Sequence, residues 1–166
     1  SFYNPGNISI GDNTRIDDYC VLSAGEGGIV AGRNVHISVY TSIIGKGKVY
    51  VGDFTALSGR VSVYSSNDDY SGRYMTNPTV DPKFTNVTVG EVFIGKHVII
   101  GSGSIILPNV RLEDGVCVGA LSLVKENCKT FHMYGGIPAK LIKKRSKKLL
   151  EKEKKFLKYI SSDRNE

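Results

Sequence analysis

Through most of the chain every sixth residue is aliphatic, and this period limits the fold more than any other feature. The positions are Ile10, Ile16, Leu22, then Ala31, Ile37, Ile43, then Val51, Leu57, Val63, then Ile94, Ile100, Ile106, then Leu112, Val118 and Val124. Two residues before each stands a small or β-branched residue: Ile8, Thr14, Cys20, Ile29, Val35, Thr41, Val49, Thr55, Val61, Val92, Val98, Ser104, Val110, Val116 and Ser122. Alternation of this kind is the period of a strand and not of a helix. Glycine often follows the aliphatic residue, at Gly11, Gly32, Gly52, Gly95, Gly101 and Gly119, as a chain that turns every six residues requires. Three strands and three corners close one triangular coil, and only stacked coils can bury the aliphatic column. The expected fold is all-β: a parallel β-helix of about five coils, roughly 24 Å tall at the usual strand spacing. From Ile94 onward the register is unbroken, which stacks Ile94 with Leu112, Ile100 with Val118 and Ile106 with Val124. An ordinary β-sandwich does not hold one register over five repeats.

The interruptions divide the chain. Three extra residues fall between Leu22 and Ala31, two between Ile43 and Val51, and twenty-five between Val63 and Ile94. The last is a long loop, and long loops in compact domains tend to be functional. The expected organisation is a β-helix over residues 1–137 with a loop insertion at 64–91, followed by a basic helical tail at 138–166. In the tail Leu149, Leu150, Phe156, Leu157 and Ile160 form one helical stripe with lysines opposite, which predicts a helix within 145–160. Docking on its own or a neighbouring prism accounts for the stripe, with membrane-surface binding as the rival.

The net charge of +6 invites a nucleic-acid reading until it is located. Residues 1–139 carry 11 Lys/Arg against 12 Asp/Glu, whereas residues 140–166 carry 11 against 4. The body therefore lacks the basic, aromatic-interleaved face that tracks a phosphate backbone, and no nucleic-acid partner is expected. Cys20, Cys117 and Cys128 form neither a disulfide framework nor a zinc-binding pattern. With no long apolar run and no leader-like start, a soluble, cytoplasmic protein without membrane insertion is expected.

The stretch "IGKHVIIGSGSIILPNVRLEDGVCVGALSLVKEN", followed by "GGIPAKLIKK", resembles the hexapeptide acyltransferases. Within them it is similar to the galactoside and maltose acetyltransferases and to the O-antigen and capsule sugar acetyltransferases. The resemblance implies a left-handed coil, which general crossover rules alone would not choose. It also implies a homotrimer with active sites between subunits, and acetyl-CoA as co-substrate lying along the coils. Independently, the outward positions Val21, Val30, Phe93, Ile99, Ile105, Cys117 and Leu123 are apolar, as a subunit interface or cofactor groove would require.

Acetyl transfer needs a base for the acceptor and a donor for the oxyanion. The galactoside enzymes carry a histidine base in the long loop, and its place here is taken by Asp68, beside Asn67 and Asp69. His36, at an outward position on the second coil, is the leading substitute base, with Asp68 as the alternative or as its orienting partner. Tyr40, Asn67 and Asp69 are candidate acceptor contacts. For acetyl-CoA the resemblance carries over Ser102, as an amide facing the thioester carbonyl, and Ala120, as a contact to pantetheine. Lys125, Lys140 and Lys143 are candidate cations for the nucleotide end. His97 is expected to be structural, and His132 could line the cofactor groove.

Losing the loop histidine favours an amine acceptor, whose lower pKa needs less help than an alcohol's. The expected function is acetylation of a sugar, as a nucleotide-linked amino sugar or at a hydroxyl, for cell-surface polysaccharide. Two alternatives stand beside it: an inactive β-helix acting as a binding module, and an acyltransferase acting on a non-sugar small molecule, as the serine-acetylating type does, where a helical N-terminal domain is expected. A γ-class carbonic anhydrase is excluded, because three zinc-binding imidazoles, two of them close in sequence, are not available among His36, His97 and His132. No metal is expected.

Overall fold

In the computed structural model, residues 1–162 are described, and they form a left-handed parallel β-helix. Its three faces are sheets of five, seven and six strands. Face I holds Ile8–Ile10, Ile29–Ala31, Val49–Val51, Val92–Ile94 and Arg111–Leu112. Face II holds Arg15–Ile16, His36–Ile37, Ala56–Leu57, Ile99–Ile100, Cys117–Val118, His132–Gly135 and Lys140–Lys144. Face III holds Phe2–Tyr3, Val21–Ala24, Ser42–Gly45, Ser62–Tyr64, Ile105–Ile106 and Leu123–Val124. The chain visits the faces in the order I, II, III, and each strand except Lys140–Lys144 pairs in parallel with its counterpart one coil away, as Leu57, Ile100 and Val118 do.

The aliphatic columns meet along the axis. From Leu22 to Val124 each of the thirteen expected inward residues is buried. Fully burying an aliphatic side chain of this size stabilises by about 1.5–3 kcal/mol, so the column is the main store of favourable energy. The first coil departs from expectation: Ile10 is 39% exposed and Ile16 only partly covered, because no complete coil lies beneath them. Five complete coils are extended by partial rungs, Phe2–Tyr3 at one end and His132–Gly135 at the other. Both fall outside the six-residue period that set the expected count.

The last rung turns back. Lys140–Lys144 pairs antiparallel with His132–Gly135, so the first part of the expected tail at 138–166 is a strand, ahead of the 145–160 stretch in which the helix was expected. The helix runs over Leu149–Ser162. It lies along the I/II corner: Phe156 meets Phe54 edge-on at 6.1 Å, and Glu153 Oε2 is 2.8 Å from His97 Nε2. Arg145 anchors its entry by donating to the carbonyls of His97, Gly115 and Val116. The helix thus docks on its own prism. Residues 163–166, the end of the expected tail, lie outside the described residues. No helix among the described residues is long and apolar enough to cross a membrane.

The candidate active site

Each I/II and II/III corner of the five coils has one residue in the left-handed backbone region, which turns the chain from one face to the next. Along the II/III corner these are Tyr19, Tyr40, Arg60, Gly103 and Leu121, with φ between 54° and 71°. Their amides form a ladder: Tyr40 donates to Asp18 O, Arg60 to Val39 O, Gly103 to Gly59 O and Leu121 to Ser102 O. Among the described residues the amides of the preceding residues, Asp18, Val39, Gly59, Ser102 and Ala120, have no hydrogen-bond partner. Those of Ser102 and Ala120 lie on consecutive coils, free to pair with a ligand's carbonyls. Above them an apolar cavity of about 170 Å³ is lined by Gly103, Ile105, Leu121, Ser122, Leu123 and Ile137. Gly103 takes its corner at φ 71° without a Cβ, where the other four coils carry a tyrosine, an arginine or a leucine.

The cationic candidates lie toward the last coil. Lys140 borders a cavity of about 270 Å³ with Cys128, Lys129 and Tyr134. Lys143 pairs with Met133 on face II, and Lys125 follows the final face III strand. His132 Nδ1 is 2.8 Å from Thr130 O. A cavity of about 390 Å³ lies away from all of these, where the end of the helix meets Asn13, Asn34 and Phe54.

His36 projects from face II, and its Nε2 is 2.9 Å from Asp17 Oδ2. Asp17 also accepts from Arg15 Nε at 2.6 Å. The bond to His36 and then that to Arg15 hold the Asp17 carboxyl below the usual carboxylate range. Tyr40 sits on the adjoining II/III corner, stacked on Tyr19 at 5.0 Å between ring centroids. His36 and Tyr40 therefore share one region of the surface. A ladder of two steps, His36 to Ala56 to Ile99, separates His36 from the coil that carries Ser102.

Asn67, Asp68 and Asp69 are elsewhere. The loop leaves at the III/I corner, where Ser66–Asn67 pairs antiparallel with Thr88–Val89. In a triangular prism that corner lies opposite face II, so one chain does not bring Asp68 to His36, and an orienting role for Asp68 within the chain is not realised. The Asp69 carboxylate is turned into its own loop, accepting from the Ser71 amide and hydroxyl and from the Gly72 amide. Asp68 is exposed and makes no polar contact among the described residues, and Tyr70 beside it is 92% exposed.

His97 is structural, as expected: it stacks on Phe54 at 5.1 Å and faces Glu153 of the helix. Arg60, which was not singled out from the sequence, lies over the Tyr40 ring at 5.2 Å. Its only signal in the sequence is its corner position, one residue in six with no fixed type. Among the described residues no three His, Cys, Asp or Glu side chains are gathered to hold a metal.

Comparison with known proteins agrees with this architecture. Residues 91–126 match the bacterial transferase hexapeptide family (six repeats). The chain is 62% identical over 156 residues to the Escherichia coli dTDP-4-amino-4,6-dideoxy-D-glucose acyltransferase, covering 94% of this chain and 81% of that protein. It is 30% identical over 144 residues to the putative lipopolysaccharide biosynthesis O-acetyl transferase WbbJ of Escherichia coli K12, covering 85% and 74%. Among solved structures it is similar to AntD, an N-acyltransferase from Bacillus cereus. The complex of AntD with dTDP and 3-hydroxybutyryl-CoA superposes with a TM-score of 0.92 at 44% identity, covering 97% of this chain and 85% of that one. A point mutant of AntD bound to dTDP-4-amino-4,6-dideoxyglucose and coenzyme A gives 0.91 at 44% identity, covering 96% and 84%. With the repeat, the coil and nearly full-length relatives in agreement, the chain belongs to the hexapeptide-repeat transferases, among the acyltransferases of that family.

Proposed function

We propose that this protein transfers an acetyl group from acetyl-CoA to the 4-amine of a dTDP-linked 4-amino-4,6-dideoxyhexose, in the cytoplasm, as a homotrimer with sites shared between neighbours. The similarity to the Escherichia coli acyltransferase carries this reading, since it extends over both the coils and the loop. Two features of the chain support it: the free Ser102 amide and an acidic loop where galactoside enzymes have a histidine.

In this scheme the thioester carbonyl faces the Ser102 amide, and pantetheine runs past Ala120 toward Lys125, Lys140 and Lys143. The acceptor amine attacks the carbonyl carbon, the new C–N bond forms, the Ser102 N–H stabilises the oxyanion, and the C–S bond then breaks. The amine proton leaves as the C–N bond forms, and the departing thiolate ends as the CoA thiol. A base must come within hydrogen-bond reach of that amine, directly or through one water. His36 is two coils away from Ser102, about 10 Å at the strand spacing, so we assign the proton to Asp68 and acceptor positioning to His36 and Tyr40. Asp68 cannot reach this corner from its own III/I corner and comes from a neighbouring subunit's loop. The exposed apolar Ile99 and Ile105, with Leu121 and Ile137, provide a surface for that contact.

AntD has also been crystallised with substitutions at a serine and at an aspartate ten positions further along. Ser58 and Asp68 repeat that pair and spacing here, Ser58 on the II/III corner one coil below Ser102. Ser71 and Asp81, and Ser104 and Asp114, share the spacing, but the first pair is engaged in local loop turns, while Ser104 Oγ donates to Gly119 O and Asp114 Oδ1 accepts from the Lys96 amide.

The test is thiol release from acetyl-CoA with dTDP-4-amino-4,6-dideoxyglucose and with its 4-hydroxy counterpart. Turnover of the amine alone is expected. Equal turnover of the alcohol, or none of either, would refute the reading.

A further inference from the structure

We propose that Tyr19, Tyr40 and Arg60 form the recognition site for the nucleoside diphosphate of the acceptor, the base on the tyrosine stack and the diphosphate at Arg60. The proposal rests on the acceptor reading above and adds the residues that would select the nucleotide carrier.

Each of the three stands at a positive φ, 61°, 61° and 60°, where glycine or asparagine is easier to accommodate. The I/II corner uses Asn13 and Asn34 at its first two levels. Large side chains in this backbone region need something to offset the strain, and such outliers mark sites worth a functional hypothesis. On the I/II corner Phe54 and His97 are offset by the helix that packs over them. Among the described residues nothing covers the other ladder: Tyr19 is 71% exposed and Tyr40 49%.

Tyr19 and Tyr40 are nearly coplanar, with 10° between their rings, and the outer end of their stack is open to one more planar ring. Arg60 has no carboxylate partner among the described residues, unlike Arg15, Arg33 and Arg111. A guanidinium left exposed and unpaired beside an aromatic stack can take both oxygens of a phosphate while the rings take a base.

Ser102, Arg60, Tyr40 and Tyr19 occupy successive coils along one edge. Three coil spacings give about 14 Å from the oxyanion amide to the outer tyrosine. An extended nucleotide sugar laid along this edge puts its sugar near Ser102, its diphosphate at Arg60 and its base on the tyrosines.

Calorimetric titration of dTDP and steady-state kinetics test this. Arg60→Ala should raise the dTDP Kd and the acceptor KM by roughly tenfold, with the acetyl-CoA KM and kcat changed less than about twofold. Tyr40→Ala and Tyr19→Ala should weaken dTDP by roughly fivefold to tenfold, whereas Tyr40→Phe binds like the parent. With thymidine in place of dTDP the Arg60 effect should vanish and the tyrosine effect persist, a pattern that general destabilisation would not give. If Arg60→Ala does not fold, Arg60→Gln reads the same charge. A parent enzyme that binds dTDP and turns over, with variants that bind dTDP equally well, would overturn this proposal and leave the acceptor reading intact. A parent enzyme with neither dTDP binding nor turnover would overturn both.

Discussion

At the I/II corner, Phe54 and His97 adopt the left-handed backbone and lie beneath the C-terminal helix, held by Phe156, Glu153 and Arg145. At the II/III corner, Tyr19, Tyr40 and Arg60 adopt the same backbone and lie bare, with the free amides of Ser102 and Ala120 on the coils beyond. Identical turns are therefore finished in two ways. Where the chain supplies its own cover, the side chains contribute to stability. Where it supplies none, they remain available to a ligand. The difference shows that in a repeat fold the corner residue carries information that the strand residues do not.

The largest expected effect comes from the bare corner. Ser102→Pro removes only an amide that has no partner within the chain, at the turn position where proline is favoured. It should lower kcat by about 10²-fold or more while the melting temperature stays within a few degrees. A variant that keeps full turnover would show that the corner is not where the oxyanion forms.

Asp68→Asn keeps the shape of the loop residue and removes its charge. We expect kcat to fall by about 10²-fold with acetyl-CoA affinity nearly unchanged, while His36→Ala mainly raises the acceptor KM. The reverse pattern would return the base to His36 and require the acceptor to sit lower on face II.

On the covered corner the expectation is opposite in kind. Phe156→Ala should cost about 1 kcal/mol, because the ring is part of an aromatic pair yet 40% exposed. That corresponds to a fall of roughly 2–4 °C in Tm with kcat/KM unchanged. A large loss of turnover would mean that the helix does more than cover the prism.

The smallest effect concerns the carboxylate beside His36. Because Asp17 is held below the usual range by His36 and Arg15, its contribution to stability is present above the ordinary carboxylate pKa and disappears as pH falls through the lowered one. The Tm difference between the parent and Asp17→Asn should therefore shrink as pH falls below about 4. A difference that still grows below that pH would contradict the assignment.

The period of six made the coil, its stacking register and most of its buried column legible, because each inward position has one requirement, an aliphatic side chain in a closed column. Ile10 and Ile16 escaped it because burial also depends on what lies beneath, and the partial rungs at Phe2–Tyr3 and His132–Gly135 because they do not follow the period. Tyr40 was found through a family resemblance, but Tyr19 and Arg60 were not, since a corner accepts many residue types and only their exposure in three dimensions sets them apart. The loop carries no repeat at all. Nothing in its sequence shows that Asp69 folds onto Ser71 while Asp68 points free, or that both leave from the corner opposite His36.

The central claim is that one chain's II/III corner works with a neighbour's loop. Its most direct test is turnover by co-refolded mixtures of Ser102→Pro and Asp68→Asn, each nearly inactive alone. If sites are shared around a ring, an equal mixture should recover about a quarter of parental activity, since one neighbour pair in four joins an intact corner to an intact loop. No recovery, in mixtures shown by mass spectrometry to have exchanged subunits, would place both residues in one chain's site and contradict the account.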